Sequence, residues 1–326
     1  SGAQDLDIRH NRIEHGLVLG DAAAPDGTPA DSGTVGGNDL SGGTALRVAH
    51  AFDGLIAHNR MHDASVGVRY DAPAAFADNV IDANGTGVLA TVGGEEGFGF
   101  VGASGENAIV GNTTGVVLSG GSIQGQAIHD NSTGVSGSGQ LGGASLDAAN
   151  RIFGNVTGVA GFTGSVQFNR IFENTTGITA GSDLDVLHNL LYRNATASLH
   201  IDGAEQVRVQ HNTMRTATGD NIRLTGGASE VEILNNILWV SAGYDIFVAN
   251  DSRAGFASDY NLLHADGSGQ LVGWIQNPDL GDVTFDDILD WQADVALHDL
   301  NSMGRTDLAP TWSQPDFLSP LNDDFG

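Results

Sequence analysis

The sequence is marked first by what it lacks. It has no cysteine and no lysine, 7 prolines and only 6% aromatic residues. Without cysteine there are no disulfides, no thiol nucleophile and no cysteine-based zinc site. Without lysine there is no lysine base, so an enzyme of this sequence would use histidine, tyrosine or arginine to abstract a proton. No apolar run is long enough to cross a bilayer as a helix, so we expect no membrane insertion.

Positive charge is also scarce. The 13 basic residues, all arginine, stand against 40 acidic residues, and the formal net charge is -27. An electric field of this sign repels phosphate backbones, so we expect no nucleic-acid partner. The composition suits a soluble acidic protein outside the cell, and we expect the chain to be secreted or displayed at the cell surface.

What the sequence does contain is a repeat of about 20 to 25 residues. Its first phrase is asparagine, any residue, then isoleucine, leucine or methionine, and glutamine replaces the asparagine once. A period of this length is typical of a solenoid, in which one supersecondary unit stacks on the next. The repeating positions are Asn11, Asn38, Asn59, Asn79, Asn107, Gln126, Asn150, Asn169, Asn189, Asn212, Asn236 and Asn261.

Each repeat reads as one coil of three short strands. In the coil from Asp183 to Asp202, three segments of alternating apolar and polar residues are separated by turn residues. Nine or ten residues after the repeating asparagine the side chain is aliphatic, and we expect these side chains to point inward and stack. We expect the asparagine itself at a bend, where it tolerates an unusual φ and bonds both backbone groups and the next asparagine.

A second phrase, asparagine, any residue, threonine, glycine, then valine or isoleucine, begins five residues later in several coils. Its glycine permits the next turn. Some of these asparagines formally begin a glycosylation signal, but turn chemistry explains the phrase without a glycan. The positions are Asn84, Asn112, Asn131, Asn155 and Asn174.

The two phrases resemble the repeats of right-handed parallel β-helix proteins. Segments 169–178 and 207–214 carry the resemblance, which covers about residues 5 to 265. This pectate-lyase-like superfamily includes pectate lyases, alginate lyases, mannuronan C5-epimerases, polygalacturonases and uncharacterised secreted bacterial proteins. The resemblance implies an all-β fold, a right-handed parallel β-helix (solenoid) of about 11 to 12 coils with three short strands per coil.

The C-terminal tail departs from the repeat. We expect residues 1–265 to form the β-helix and residues 266–326 to pack on its end as a cap. Thr284, with Asp287 three residues later, predicts the N-cap of a short helix in this tail. The chain begins in mid-repeat at residues 6–11, so we expect its N-terminal end to be covered by a missing domain or by a second copy.

Two longer gaps between repeats predict loops at about residues 16–37 and 85–106, where clefts often form on a solenoid. Carboxylates in such loops can bind Ca²⁺, so calcium is a candidate ligand, although a solvated loop has the same composition. No metal ligands are assigned. The acidic residues concerned are Asp21, Asp26, Asp31, Glu95 and Glu96.

Outward-facing positions form columns along the stack. Four residues before the repeating asparagine, consecutive coils carry Asp185, Arg208 and Glu232, and on the third strand consecutive coils carry His200 and Arg223. In an enzyme, His200 would be the base, either arginine would neutralise charge, and the two carboxylates would be partners. A column of surface ion pairs without catalytic function explains the same pattern.

A third column lies three residues after the repeating asparagine and is rich in aromatic side chains. Such a row predicts a platform for the rings of a polysaccharide. The alternative is that the column turns inward or lies beneath the C-terminal segment. Its members are Phe153, Phe172, Tyr192, Arg215, Trp239 and His264.

Two functions remain open. The first is a carbohydrate-interacting protein that binds a glycan along the β-helix, as a lyase, C5-epimerase, hydrolase or binding protein. The second is a non-catalytic, adhesin-like or structural module of a larger extracellular protein. The Asp-Pro-His-Asp motif of the epimerases is absent, and the net charge of -27 disfavours polyanionic substrates unless arginines offset it locally.

Overall fold

The computed structural model describes residues 5–20, 31–277, 281–295 and 297–306. It confirms the predicted fold, a parallel β-solenoid of about 11 turns with a short C-terminal helix. The chain divides into two compact units, unit 1 (Ser1–Arg170) and unit 2 (Ile171–Gly326). Within the described ranges, no helix combines the length and the apolar character that crossing a membrane would require.

The strands of unit 1 are short, because each coil turns after a few residues. Single 3₁₀ turns at Gly94–Glu96 and Leu146–Ala148 interrupt them. The strands are β1 (Leu6–Arg9), β2 (Arg12–Ile13), β3 (Leu17–Leu19), β4 (Asp31–Gly36), β5 (Asp39–Ser41), β6 (Thr44–Val48), β7 (Phe52–Ala57), β8 (Arg60–His62), β9 (Val66–Tyr70), β10 (Ala74–Ala77), β11 (Val80–Asp82), β12 (Thr86–Ala90), β13 (Ala108–Val110), β14 (Thr114–Ile123), β15 (Ala127–His129), β16 (Thr133–Leu141), β17 (Arg151–Phe153) and β18 (Thr157–Gln167).

The strands of unit 2 follow the same order, and some run through a corner from the third strand of one coil into the first strand of the next. They are β19 (Arg170–Phe172), which begins at the boundary, β20 (Thr176–Leu187), β21 (Leu190–Tyr192), β22 (Ala197–Asp202), β23 (Glu205–Gln210), β24 (Thr213–Thr216), β25 (Asp220–Thr225), β26 (Ser229–Leu234), β27 (Ile237–Val248), β28 (Ala257–Asp259), β29 (Leu262–Asn277), β30 (Gly281–Phe285) and β31 (Met303–Gly304), with helix α1 (Ile288–Asp294).

Equivalent strands of successive coils pair in parallel, which gives each unit three ladders. In unit 2, β20, β23, β26 and β28 form the first ladder. In the third ladder, β22 pairs with β25, and β25 pairs with the end of β27. The predicted inward stack is confirmed, because Leu199, Ile222 and Ile246 are in register and 0% exposed. Burial of these aliphatic columns is the main source of stability.

The repeating asparagines form the predicted ladder, one amide per coil, and from Asn38 onward the amide is buried. In unit 2, Asn212 Oδ1 accepts from the backbone N–H of Asn189 (2.9 Å) and from its Nδ2 (3.1 Å). Asn212 Nδ2 in turn donates to Asn236 Oδ1 (3.1 Å) and to the carbonyl of Val186 (2.8 Å). In unit 1, Gln126 fits into the same chain, since its Oε1 accepts from Asn107 Nδ2 (2.8 Å).

The unusual backbone conformation lies one residue earlier than predicted. In unit 2 it belongs to the residue before each repeating asparagine, at a corner where the chain passes from the first to the second strand. This residue has a positive φ of 55–58° in a left-handed turn, a region that non-glycine residues rarely occupy. The corner residues are His188 (φ 55), His211 (φ 58), Asn235 (φ 57) and Tyr260 (φ 57).

The second asparagine phrase also forms a ladder, so it is turn chemistry. Asn112 Nδ2 donates to Asn131 Oδ1 (3.1 Å), and Asn131 Nδ2 donates to Asn155 Oδ1 (3.1 Å). Their side chains are 2–3% exposed. An amide nitrogen buried in such a ladder cannot carry a glycan, and the same holds for Asn174, whose Nδ2 donates to Asn194 Oδ1 (3.1 Å).

The C-terminal segment closes the asparagine ladder. Asn261, at its end, donates from its backbone N–H to the hydroxyl of Ser302 (2.8 Å) and from Nδ2 to Asp299 Oδ1 (3.2 Å). Trp291 of α1 is fully buried and donates from Nε1 to Asp299 Oδ2 (3.0 Å). The predicted N-cap at Thr284 is wrong, because Asp287 itself caps α1 by accepting from the backbone N–H of Leu289.

The predicted domain boundary after residue 265 stays a prediction. The parallel pairing of β29 with β27 continues to Trp274, and the antiparallel strand β30 follows. Of the two predicted loops, Asp21 and Asp26 lie outside the described residues. The other loop is anchored by Phe98, which is 0% exposed and packs edge-on against Tyr70 at 5.3 Å.

Candidate functional site

An open groove of about 530 Å³ crosses the first ladder of unit 2, and we call it the acidic groove. Three consecutive coils each contribute two side chains to it, two residues apart on one strand. Sequence analysis found only the second member of each pair, although a period of two places both on one face. The lining residues are Asp183, Asp185, Gln206, Arg208, Glu230 and Glu232.

The acidic groove has a fixed centre. The guanidinium of Arg208 forms two hydrogen bonds with Asp185, from Nε to Oδ1 and from a terminal nitrogen to Oδ2, each 2.7 Å. This pairing raises the pKa of Arg208. Because the pair is solvent-exposed it adds little stability, but it orients both groups. Glu232 accepts a hydrogen bond from Gln210 Nε2 at 2.9 Å. The lining of the groove thus contains four carboxylates and one guanidinium.

His200 and Arg223 lie elsewhere, on the third ladder of unit 2. His200 Nε2 is 2.8 Å from the hydroxyl of Thr225, and burial lowers the pKa of His200 although Asp202 acts in the opposite direction. Arg223 donates to Asp220 Oδ2 at 2.7 Å. The structure therefore does not bring the predicted base together with the carboxylates of the acidic groove, because a corner separates the first strand of a coil from the third.

The aromatic column points outward in part, but its rings stack on their neighbours. Phe172 and Tyr192 are parallel, with centroids 4.8 Å apart, and Phe153 stacks on His129 at 4.6 Å. A ring that gives a face to the next coil has less face to offer to a sugar.

At the far end of the column the side chains are buried, as the alternative interpretation expected. Trp239 is 4% exposed, and its Nε1 donates to Asp266 at 3.1 Å. The guanidinium of Arg215 lies 5.0 Å from the centroid of the Trp239 ring. A sugar platform at Trp239 is therefore not supported.

Unit 1 has a groove of its own, also about 530 Å³, between the loop that ends at residue 106 and the turn at 146–148. Glu106 and Arg151 form two hydrogen bonds of 2.7 and 3.0 Å within it. The expectation that an inserted loop overhangs a cleft is met here. Among the described residues, no group of three or more histidine and carboxylate side chains is placed to hold a metal ion.

Unit 2 completely buries the carboxyl groups of Asp299, whose hydrogen bonds are given above, and of Asp245. Asp245, on β27, is 0% exposed, and its Oδ1 accepts from Asn221 Nδ2 at 2.8 Å. Its Oδ2 has no hydrogen-bond partner in the described part of the chain. Burial raises the pKa of Asp245 well above its ordinary value, against the effect of hydrogen bonds from Asn221 and the backbone of His264. Burial therefore favours the protonated, neutral form of this side chain.

A histidine that contacts two carboxylates lies on the second ladder of unit 1. His62 Nδ1 is 2.6 Å from Asp63 Oδ2, and His62 Nε2 is 2.5 Å from Asp39 Oδ1. Both nitrogens can donate only in the protonated ring. These two hydrogen bonds, that of Asp63 first, raise the pKa of His62 despite the opposing effects of partial burial and of Arg60.

We predict that His62 stabilises unit 1 at acidic pH and that this contribution is lost as pH rises. Because the folded-state pKa is raised, the contribution is complete below about pH 6.5 and disappears above the folded-state pKa. The wild type should melt above His62→Gln at about pH 6, and the gap should close towards about pH 9. Thermal melts of both proteins, with the exposed His58→Gln as control, test this. A gap that is independent of pH would contradict it.

Comparisons with known proteins add little. No protein-family model matches the sequence, and no curated protein is similar to it. The A-module of the mannuronan C-5 epimerase AlgE6 of Azotobacter vinelandii is a structural match over 74% of this chain and 67% of that one, with 13% identity and a TM-score of 0.32. So weak a likeness says nothing about substrate or catalysis here, and membership of a pectate-lyase-like family is not confirmed.

Proposed function

We propose that the protein is a glycan-binding β-helix and that the acidic groove of unit 2 holds an uncharged polysaccharide. The observation that carries the proposal is the lining of the groove. All six side chains are polar, they come from three consecutive coils, and they repeat at the coil spacing of about 4.8 Å. Such a surface offers a regular row of hydrogen-bond acceptors, with Arg208 and Gln206 as donors, to a chain of sugar hydroxyls.

Charge selects among glycans. Four carboxylates and one guanidinium give the groove a negative potential, and the whole chain carries a net charge of -27. Uronate polymers would be repelled, whereas neutral sugars would donate hydroxyl protons to carboxylates in charge-assisted hydrogen bonds. An amino-sugar polymer would bind through its positive charge. Salt separates the two cases, because screening weakens ionic binding far more than neutral binding.

The placement of the candidate catalytic residues favours binding over chemistry. A general base must be within hydrogen-bond reach of the proton that it removes. His200 contacts Thr225 on the third ladder, whereas Asp185, Arg208 and Glu232 face the acidic groove on the first. We therefore propose a non-catalytic module that acts outside the cell. Secretion and a calcium requirement stay predictions, and binding assays should include Ca²⁺ and chelator arms.

The test is a matched pair of double variants. Glu230→Gln with Glu232→Gln removes two charges from the acidic groove at constant shape, and we expect about tenfold weaker binding to a neutral polysaccharide because charge-assisted bonds become neutral ones. Asp53→Asn with Asp78→Asn removes two exposed charges from unit 1 and should bind like the wild type. Affinity electrophoresis in gels containing the polysaccharide measures both. Equal binding by the two variants would reject the groove as the site.

A further inference from the structure

A smaller groove lies at the last corner of unit 2, and we call it the terminal groove. Its volume is about 360 Å³. The asparagine ladder forms its floor, apolar side chains form one flank, and an aromatic ring and two amides surround it. The side chains that matter for its chemistry are Asn235, Ile237, Tyr260, Leu262, Asn301 and Met303.

Tyr260 differs from every ring of the aromatic column. It is 58% exposed, and no other described ring stacks on it. Its φ of 57° places it at the left-handed corner of the coil. The equivalent corner residues His188 and His211 stack on each other with centroids 4.8 Å apart, whereas the ring of Tyr260 is exposed. Holding a tyrosine in this left-handed conformation costs free energy, so the ring is displayed at some expense to the fold.

The backbone around Tyr260 is fixed in place by Asp259. One oxygen of Asp259 accepts from the backbone N–H of Tyr260 (2.9 Å) and from the backbone N–H of Asn301 (2.7 Å). The other accepts from Asn301 Nδ2 (2.7 Å). These bonds tie the C-terminal segment to the last coil and leave the amide oxygen of Asn301 as an acceptor beside the ring.

The opposite side of the groove offers a second amide. Asn235 is exposed, and its side chain has no hydrogen bond to any described residue. Ile237 and Leu262 are half-buried below it, and Met303 is 46% exposed. An exposed aromatic ring, an apolar flank and two uncharged amides together match a pyranose, which has an apolar face and a rim of hydroxyls.

We propose that the terminal groove is a saccharide subsite in which an uncharged sugar ring stacks on Tyr260 and bonds Asn235 and Asn301 through its hydroxyls. The inference rests on the proposed glycan-binding function and adds a position to it. The two sites adjoin along the chain, because Glu232 lies on β26 and Asn235 follows directly after this strand, three residues or about 10 Å along an extended chain from Glu232. A glycan of a few residues can contact both.

The experiment compares two ring-to-asparagine substitutions at equivalent corners. Tyr260→Asn removes the ring while keeping a residue that tolerates the left-handed turn. His211→Asn makes the same change one corner outside the terminal groove, at φ 58. Titration calorimetry of the wild type and both variants with neutral β-1,4-linked gluco-, xylo- and mannohexaose gives the affinities, and circular dichroism melts confirm that the variants fold.

We expect Tyr260→Asn to bind the preferred hexasaccharide about tenfold more weakly, the size of effect that loss of one aromatic contact gives. His211→Asn should match the wild type, and Tyr260→Trp should bind at least as tightly. Equal affinity for Tyr260→Asn and the wild type would overturn the subsite but leave the acidic groove intact. Equal weakening in both asparagine variants would overturn it too. No binding of any hexasaccharide by the wild type would overturn both proposals.

Discussion

Replacing Asn212 with alanine will lower the free energy of unfolding of unit 2 by roughly 3 to 5 kcal/mol. The amide makes five hydrogen bonds in a buried position. It accepts twice from Asn189 and donates to Val186, Gln210 and Asn236, at distances of 2.8–3.1 Å. Alanine removes the acceptor of the buried backbone N–H of Asn189 and the donor to the carbonyl of Val186, and each such loss costs about 1 to 3 kcal/mol before relaxation. The carbonyl of Gln210 and Asn236 Oδ1 still accept from the backbone N–H groups of residues 188 and 212.

Denaturant unfolding of the wild type and Asn212→Ala measures this loss. Asn250→Ala is the matched control, because Asn250 is exposed and lies outside the ladder. It should change stability by less than about 0.5 kcal/mol, as is usual for surface positions. If Asn212→Ala lowered the free energy of unfolding by no more than Asn250→Ala, the hydrogen bonds of the ladder would contribute no more to stability than a surface residue does.

Replacing Asp245 with asparagine will stabilise unit 2, and the gain will grow with pH. Burial raises the folded-state pKa of Asp245, so the native state keeps a proton that the unfolded state releases above about pH 4. Wild-type stability therefore falls as pH rises, by up to about 1.4 kcal/mol per pH unit, until the folded-state pKa is reached. Asparagine does not titrate, and its amide oxygen can still accept from Asn221.

Thermal melts at several pH values between about pH 5 and about pH 9 test the sign of this effect. The control is Asp220→Asn, which should lose stability because Asp220 accepts from Arg223 at 2.7 Å and from the backbone N–H of Tyr244 at 2.9 Å. A constant difference between Asp245→Asn and the wild type over this range would mean that Asp245 has the same protonation in both states.

The fold was predictable because stacking repeats one constraint in every coil. An aliphatic residue that recurs nine or ten positions after each asparagine points inward, and Leu199, Ile222 and Ile246 confirm this. The corner conformation was misplaced by one residue because the ladder asparagine and its predecessor are adjacent. The residue type at this corner does not indicate the left-handed backbone. Phe168, which precedes Asn169, has a φ of 53° although phenylalanine rarely adopts this conformation.

The sites were harder to predict. The alternation of apolar and polar residues indicates which side chains point outward, but not which outward side chains lie next to each other. Asp185 and His200 both point outward, yet one lies on the first ladder and the other on the third. The stacking of Phe172 on Tyr192 depends on side-chain rotation, which spacing does not encode. The position of Tyr260 could have been predicted, because it directly precedes the repeating Asn261 and therefore occupies the same corner as His188 before Asn189.

The buried carboxyl also had a signal in the sequence. In unit 1 the position before the inward valine is glycine, and a Cβ on Gly87 would come within 3.0 Å of the ladder amide of Asn112. In unit 2 the same position is Gly177 and then the polar residues Ser198, Asn221 and Asp245. A polar residue at a position that is glycine in other coils therefore indicates that no asparagine of the second phrase occupies the adjacent space in the next coil.

The most direct test of the account is one incubation of the wild-type protein with alginate, pectate, xylan, neutral glucans and chitosan, with and without Ca²⁺. Retention in affinity gels, absorbance near 235 nm and reducing ends are read together. We predict retention by a neutral polysaccharide that persists in high salt, with no rise in absorbance or reducing ends. Absence of retention, or release of products from any polymer, would contradict a non-catalytic glycan-binding β-helix.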